Sequence, residues 1–165
     1  MTEILDLCST ARCTPDQVTR LRKEHVIDQQ MLYTMDGAHA FYHYRGADLQ
    51  QIDRADEYRF FLQQPFWAAP GPVALVSLGC GNADPEKPLL ARLNTEGRAV
   101  AYVGVDTSRA MLELAQRNLS DAAYDRTFVL GDFTVAAFRS ALAPLLAPYE
   151  RRVYAMIGGT FGNFT

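Results

Sequence analysis

Nine residues, Val73-Ala74-Leu75-Val76-Ser77-Leu78-Gly79-Cys80-Gly81, constrain the fold more than any other stretch of the chain. A short apolar run rich in branched side chains, opened by the turn dipeptide Pro70-Gly71 and closed by glycines, predicts a strand buried on both faces that feeds a tight turn. Glycine in such a turn lets the main chain approach a ligand with no side chain in between. Ala99-Val100-Ala101-Tyr102-Val103-Gly104-Val105-Asp106 repeats the strand signature and finishes on a carboxylate, where an α/β sheet holds a ribose. Strand, glycine turn, helix, strand and terminal acid predict a nucleotide-type site on a parallel sheet with helices on both faces.

The dinucleotide fingerprint wants Gly-x-Gly-x-x-Gly or Ala, and Asp84 stands where its last small residue belongs. The looser Leu-Gly-Cys-Gly, followed by an acid-tipped second strand, resembles S-adenosylmethionine-dependent methyltransferases. A site of that kind has no pyrophosphate to hold and needs only close main-chain approach and acceptors for hydroxyls. The bland alternative is a strand-to-helix turn that binds nothing.

At 165 residues the chain is long enough for one domain with a sizeable core, and 48% apolar composition with 11% aromatics suits a folded globular protein. A net charge of -3, with acids and bases interspersed, argues against a nucleic-acid groove built on concentrated cations and favours a small-molecule substrate. Cys8, Cys13 and Cys80 leave one thiol unpaired in any scheme, and neither a signal peptide nor an apolar run of membrane-spanning length is present. These features predict a protein of the reducing cytoplasm without membrane attachment.

Residues 1–68 read as a helical and aromatic N-terminal segment and residues 69–165 as the sheet-forming part. Up to about Met35 the pattern is helical, with Thr14-Pro15-Asp16-Gln17 as a capping signal and His25 on a solvated face. From Tyr33 to Trp67 aromatic and polar residues interleave, a composition suited to a lid over a small polar ligand or to an amphipathic packing surface. His39 and His43 have the spacing of a helical metal pair but no third ligand at a known spacing, so no metal is expected. Beyond the glycine turn, Pro88–Leu93 reads as the packed face of a crossover helix, and Ser108 as the cap of a second helix carrying Met111, Leu112, Ala115 and Leu119. Thr127–Leu130 predicts a third strand ending at Gly131-Asp132-Phe133, where Asp132 either accepts from an exocyclic amine or caps a helix. An alanine-rich helix, expected to break at Pro144 and Pro148, leads to a fourth strand over Arg152–Ile157 and then to a glycine-rich segment.

Four of these motifs, Leu78-Gly79-Cys80-Gly81, Tyr102-Val103-Gly104-Val105-Asp106, Gly131-Asp132-Phe133-Thr134 and Ile157-Gly158-Gly159-Thr160-Phe161-Gly162-Asn163, resemble in kind and order those of the histidine-specific methyltransferases of ergothioneine biosynthesis. Tyr42-His43-Tyr44-Arg45-Gly46 and Asp56-Glu57-Tyr58 are similar to two upstream segments of that family, so the resemblance runs from about Tyr42 to Thr165 and covers the front half of a family member. It implies an incomplete class I methyltransferase sheet and S-adenosylmethionine as cofactor. Gly79, Gly81, Lys87, Asp106, Asp132 and Phe133 would be cofactor contacts, and Tyr58, Gly158 and Asn163 would face a histidine-like amino acid methylated on its amino group. It assigns no catalytic base. The turn between Gly81 and Lys87 is longer than the family's, His43 replaces an acid, and Arg59-Phe60-Phe61-Leu62 replaces a Pro-x-x-Arg pattern.

The family's open sheet has seven strands with the first and fourth adjacent, so a chain holding four strands is expected to leave an apolar edge for self-association or a second chain to cover. Two other readings stay open from the residues: a module that binds S-adenosylmethionine without turnover, and a nicotinamide-dependent oxidoreductase, which Asp84 disfavours.

Overall fold

The computed structural model describes residues 3–8, 19, 22–24, 55–98 and 100–157. The expected strand over Val73–Leu78 forms (β2), and every residue from Val73 to Ser77 is buried, as continuous apolar runs require when helices cover both faces of a parallel sheet. Its neighbours are Val100–Asp106 (β3) and Arg151–Ala155 (β5), and Arg126–Gly131 (β4) lies beyond β3. All these pairs are parallel. The strand expected first in the sheet therefore lies against the one expected fourth, with Val73 opposite Arg151 and Ser77 opposite Ala155.

A fifth strand was not foreseen. Ile4–Cys8 (β1), expected to be helical, runs parallel to β4 with Ile4 opposite Phe128, giving the order β1-β4-β3-β2-β5. The outer edge of β4 presents unpaired main-chain groups, and satisfying them outweighs whatever local preference five residues carry. Ile4 packs with the side chains of one face and Leu7 with those of the other. At the opposite side of the sheet, β5 has no outer partner among the described residues, and Tyr154 is 56% exposed there.

Helices lie on both faces. Ala55–Leu62 (α1), Glu86–Thr95 (α2) and Arg109–Asn118 (α3) send Leu62, Leu89, Leu90, Leu93, Leu112 and Ala115 onto the face that carries Leu75, Tyr102 and Phe128. Ala136–Leu146 (α4) covers the other face, packing Phe138, Leu142 and Leu146 over Val76, Val103 and Val129. The break expected at Pro144 does not occur, because α4 continues through it. Pro144 sits in the last turn, so only the one hydrogen bond its nitrogen would have donated is lost, and burial of Leu142 and Leu146 on either side holds the helix. Ser108 caps α3 as anticipated, its hydroxyl accepting from the Met111 N–H at 3.3 Å.

The aromatic residues just before β2 are packing residues. Trp67 is buried, makes inclined ring contacts with Phe61 and Phe66 at centroid distances of 5.4 and 5.0 Å, and gives its indole N–H to the Phe61 carbonyl at 2.9 Å. Trp67 lies near Val73 at the amino end of β2, away from the glycine turn. The earlier part of the aromatic stretch, with His39 and His43, lies outside the described residues.

Candidate functional site at the carboxyl edge of the sheet

Three adjacent strands end at the same edge. β2 passes into Gly79-Cys80-Gly81, β3 ends at Asp106 and β4 at Gly131 followed by Asp132, with Leu78 opposite Val105 and Asp106 opposite Leu130. The glycine turn is tied to the end of β3, since the N–H groups of Gly79 and Cys80 both donate to the Val105 carbonyl, at 2.8 and 3.0 Å. Gly79 and Gly81 have φ of 70° and 55°, the left-handed region that glycine adopts without a Cβ penalty. Where a Gly81 side chain would stand there is nothing within 4 Å.

Asp106 is the electrostatic centre of the edge. Its Oδ2 accepts from the Gly81 N–H at 2.8 Å and its Oδ1 from the Ser108 N–H at 2.9 Å. Burial pushes its carboxyl above the ordinary range, while the N–H groups of Ser108, Gly81 and Thr107 act in the opposite direction. The two carboxylate oxygens carry four lone pairs between them, so with these three N–H groups the carboxylate retains capacity for a further donor.

Asp132 is not the helix cap considered for it, since Val135 is the N-cap residue of α4 and no side chain caps that helix. Its Oδ1 accepts from the Thr134 N–H at 2.9 Å and from the Thr134 hydroxyl at 2.5 Å, a local turn before α4. Its Oδ2 has no partner among the described residues. Phe133 is half-buried against the α4 face of the core. Lys87 is exposed in the first turn of α2, where its N–H donates to the Ala83 carbonyl at 3.1 Å. Tyr58, on α1, reaches the same region by donating its hydroxyl to the Pro85 carbonyl at 2.5 Å. Gly158 and Asn163 lie outside the described residues.

Beneath the turn is a buried polar layer that sequence reasoning missed. Glu86, at the start of α2, is fully buried and accepts from the Ser77 hydroxyl, so a side chain of β2 pins the helix that follows the turn. The Cys80 sulfur and the Tyr102 ring crowd Gly104, where an added Cβ would stand 3.1 Å from the sulfur and 3.0 Å from the ring. Burial, reinforced by the nearby charges of Asp106 and Glu86, pushes the Cys80 thiol up, and its sulfur packs beside Gly104. The only local hint of this layer was a serine and an acid flanking the glycine turn.

A concavity of about 320 Å³ opens at the amino edge between Trp67, Val73, Arg98 and Arg151. Its two guanidinium groups already serve main-chain carbonyls: Arg98 donates to Trp67 at 3.0 Å, and Arg151 donates to Phe66 at 2.8 Å and to Gly71. They strap the segment before β2 to the sheet. The convergent acids and bare main chain are all at the other edge.

Among the described residues no group of His, Cys, Asp and Glu side chains forms a metal-binding cluster, and no helix is long and apolar enough to cross a membrane. Comparison with solved structures finds a TehB-like SAM-dependent methyltransferase from Corynebacterium glutamicum, with 15% identity, 61% of this chain and 46% of that chain covered, and a TM-score of 0.39. A putative class I S-adenosylmethionine-dependent methyltransferase from Listeria monocytogenes matches with 16% identity, 68% and 37% coverage, and a TM-score of 0.43. The PH0226 protein from Pyrococcus horikoshii matches with 20% identity, 59% and 40% coverage, and a TM-score of 0.38. The chain thus spans less than half the length of each of these structures. No curated protein matches it. The family described as "Histidine-specific methyltransferase, SAM-dependent" matches residues 20–165, which takes in the glycine turn and both strand-end acids. The chain belongs to this histidine-specific methyltransferase family, whose cofactor is S-adenosylmethionine.

Proposed function

We propose that the chain is the cofactor-binding part of an N-methyltransferase that acts on the amino group of a histidine-like amino acid. The observation that carries this reading is the convergence of the Gly81 main chain, Asp106 and Asp132 on one sheet edge, in a chain whose family match spans 20–165. The residues present fit the adenosyl half of the cofactor. Open space at Gly81 admits a ligand against the main chain, Asp106 offers acceptors to ribose hydroxyls, and Asp132 keeps an oxygen for an exocyclic amine. Gly79 and Lys87 flank the same turn, and Phe133 would cover the ring.

When bound, S-adenosylmethionine supplies a methyl group on a sulfonium, a leaving group good enough for direct displacement by an amine. The chain's own contribution is alignment and exclusion of water. Asp106 holds the nucleoside and the glycine turn to each other, so the turn is organised before any ligand arrives. The Tyr58 hydroxyl, anchored on Pro85, would orient the amino acid beside the cofactor turn, and the amine attacks once it has lost its proton, because an ammonium has no lone pair. Gly158 and Asn163 follow from the family motif as residues that take the amino acid's polar groups.

Incubating the full-length protein with S-adenosylmethionine and L-histidine and following the products by mass spectrometry tests the reading. Methyl groups are expected on the α-amino nitrogen. Cofactor binding without methyl transfer to histidine or its close analogues would leave a binding module in place of the enzyme proposed.

A further inference from the structure

The turn after Gly81 is held by a side chain from another element. Asn118, the last residue of α3, donates through Nδ2 to the Asn82 carbonyl at 2.9 Å and to Asp84 Oδ1 at 2.9 Å. Asn82 completes the cluster, donating from its own Nδ2 to Asp84 Oδ2 at 2.5 Å and accepting the Asp84 N–H on Oδ1 at 3.3 Å. Between the two anchor points lies Ala83, fully buried, with a φ of 59° that L side chains rarely adopt. Its N–H donates to the Cys80 carbonyl at 2.9 Å and its carbonyl accepts from Lys87 at 3.1 Å. A strained residue persists only where its surroundings over-determine it, and here the surroundings are the turn's own ends plus one amide 36 residues away from Asn82.

We propose that Asn118 is a positioning residue of the cofactor cradle, holding the 82–84 turn in its strained shape so that Gly81 and Asp106 present a preformed surface. This rests on the S-adenosylmethionine reading of that edge. Asn118 touches neither Gly81 nor Asp106, and the core beneath takes only Ala83 from the turn. A held turn needs no ordering when ligand binds. A loosened one does, and apparent affinity falls with the fraction of time the turn is in its competent shape.

The test is calorimetric titration of the full chain and of three variants, N118A, N118D and D84N/N118D, with S-adenosylhomocysteine, alongside thermal unfolding of each ligand-free protein. N118A, which loses two hydrogen bonds, is expected to bind about ten-fold more weakly. N118D sets a second carboxylate against Asp84, so its deficit should exceed that of N118A at neutral pH. Exchanging donor and acceptor in D84N/N118D restores the 118–84 hydrogen bond but leaves the Asn82 carbonyl without its donor, so this variant should bind more tightly than N118D while staying below the unaltered chain, a partial rescue that general destabilisation by two substitutions would not give. Equal affinity of N118A and the unaltered chain would overturn the proposal. So would a loss that follows unfolding temperature and is unrelieved in the exchanged pair. Absence of binding by the unaltered chain would instead overturn the cofactor reading, and the brace with it.

Discussion

Asp106 is the residue on which stability and function pull in opposite directions. Burial keeps its carboxyl neutral to a higher pH in the folded chain than in the unfolded one. Its ionisation therefore weighs against the fold, fully above the raised folded value, and that weight lifts as pH falls below the unfolded one. Ribose hydroxyls donate to the ionised form, so cofactor affinity should be complete above the raised value and decline as pH drops through it. Asp106→Ala should weaken S-adenosylmethionine binding by about 10- to 100-fold, the range for lost hydrogen bonds to a charged group. Titration calorimetry from neutral to acid pH reads both effects. Unchanged affinity in the variant, or binding that strengthens toward acid in the unaltered chain, would contradict this account. Asp106 was legible because its position is local, an acid at the tip of an apolar run. Glu86 and Asn118 were not, because what they do depends on Ser77 across the turn and on Asn82 in another element. Asp132 was legible only as an alternative, and the structure engages one of its oxygens with Thr134 in the turn before α4, not in a helix cap.

Among the elements, the buried strands and amphipathic helices of residues 73–155 were readable from period and punctuation, with ends displaced by a residue or two. Two elements were read wrongly, for different reasons. Pro144 suggested a break, but its place in the last turn of α4 makes it inexpensive. Ile4–Cys8 suggested helix because five residues carry little signal, and its strand state comes from an edge of β4 more than a hundred residues on, Ile4 lying opposite Phe128. Removing residues 1–8 should therefore lower stability by about 2 kcal/mol, the scale of a few half-buried apolar side chains, and expose the β4 edge to association. Urea unfolding and sedimentation velocity check this. An unchanged midpoint with a dispersed species would show that β1 adds nothing to the sheet.

At the scale of the whole molecule, the architecture separates tasks between the two ends of the sheet. Arg98 and Arg151 fasten the segment before β2 at the amino edge, while the carboxyl edge gathers bare main chain and acids. The glycine turn and the second-strand acid made the parallel sheet and its nucleotide edge legible, and the motif order pointed to the family. The brace on the turn was not legible, because it exists only once the end of α3 lies beside the 82–84 turn. A crystal structure of the full-length protein with S-adenosylhomocysteine tests the central claim most directly. The account predicts the ribose on Asp106 and the adenine between Asp132 and Phe133, with Gly81 against the nucleoside. A ligand at the amino edge, between Trp67 and Arg151, would contradict it.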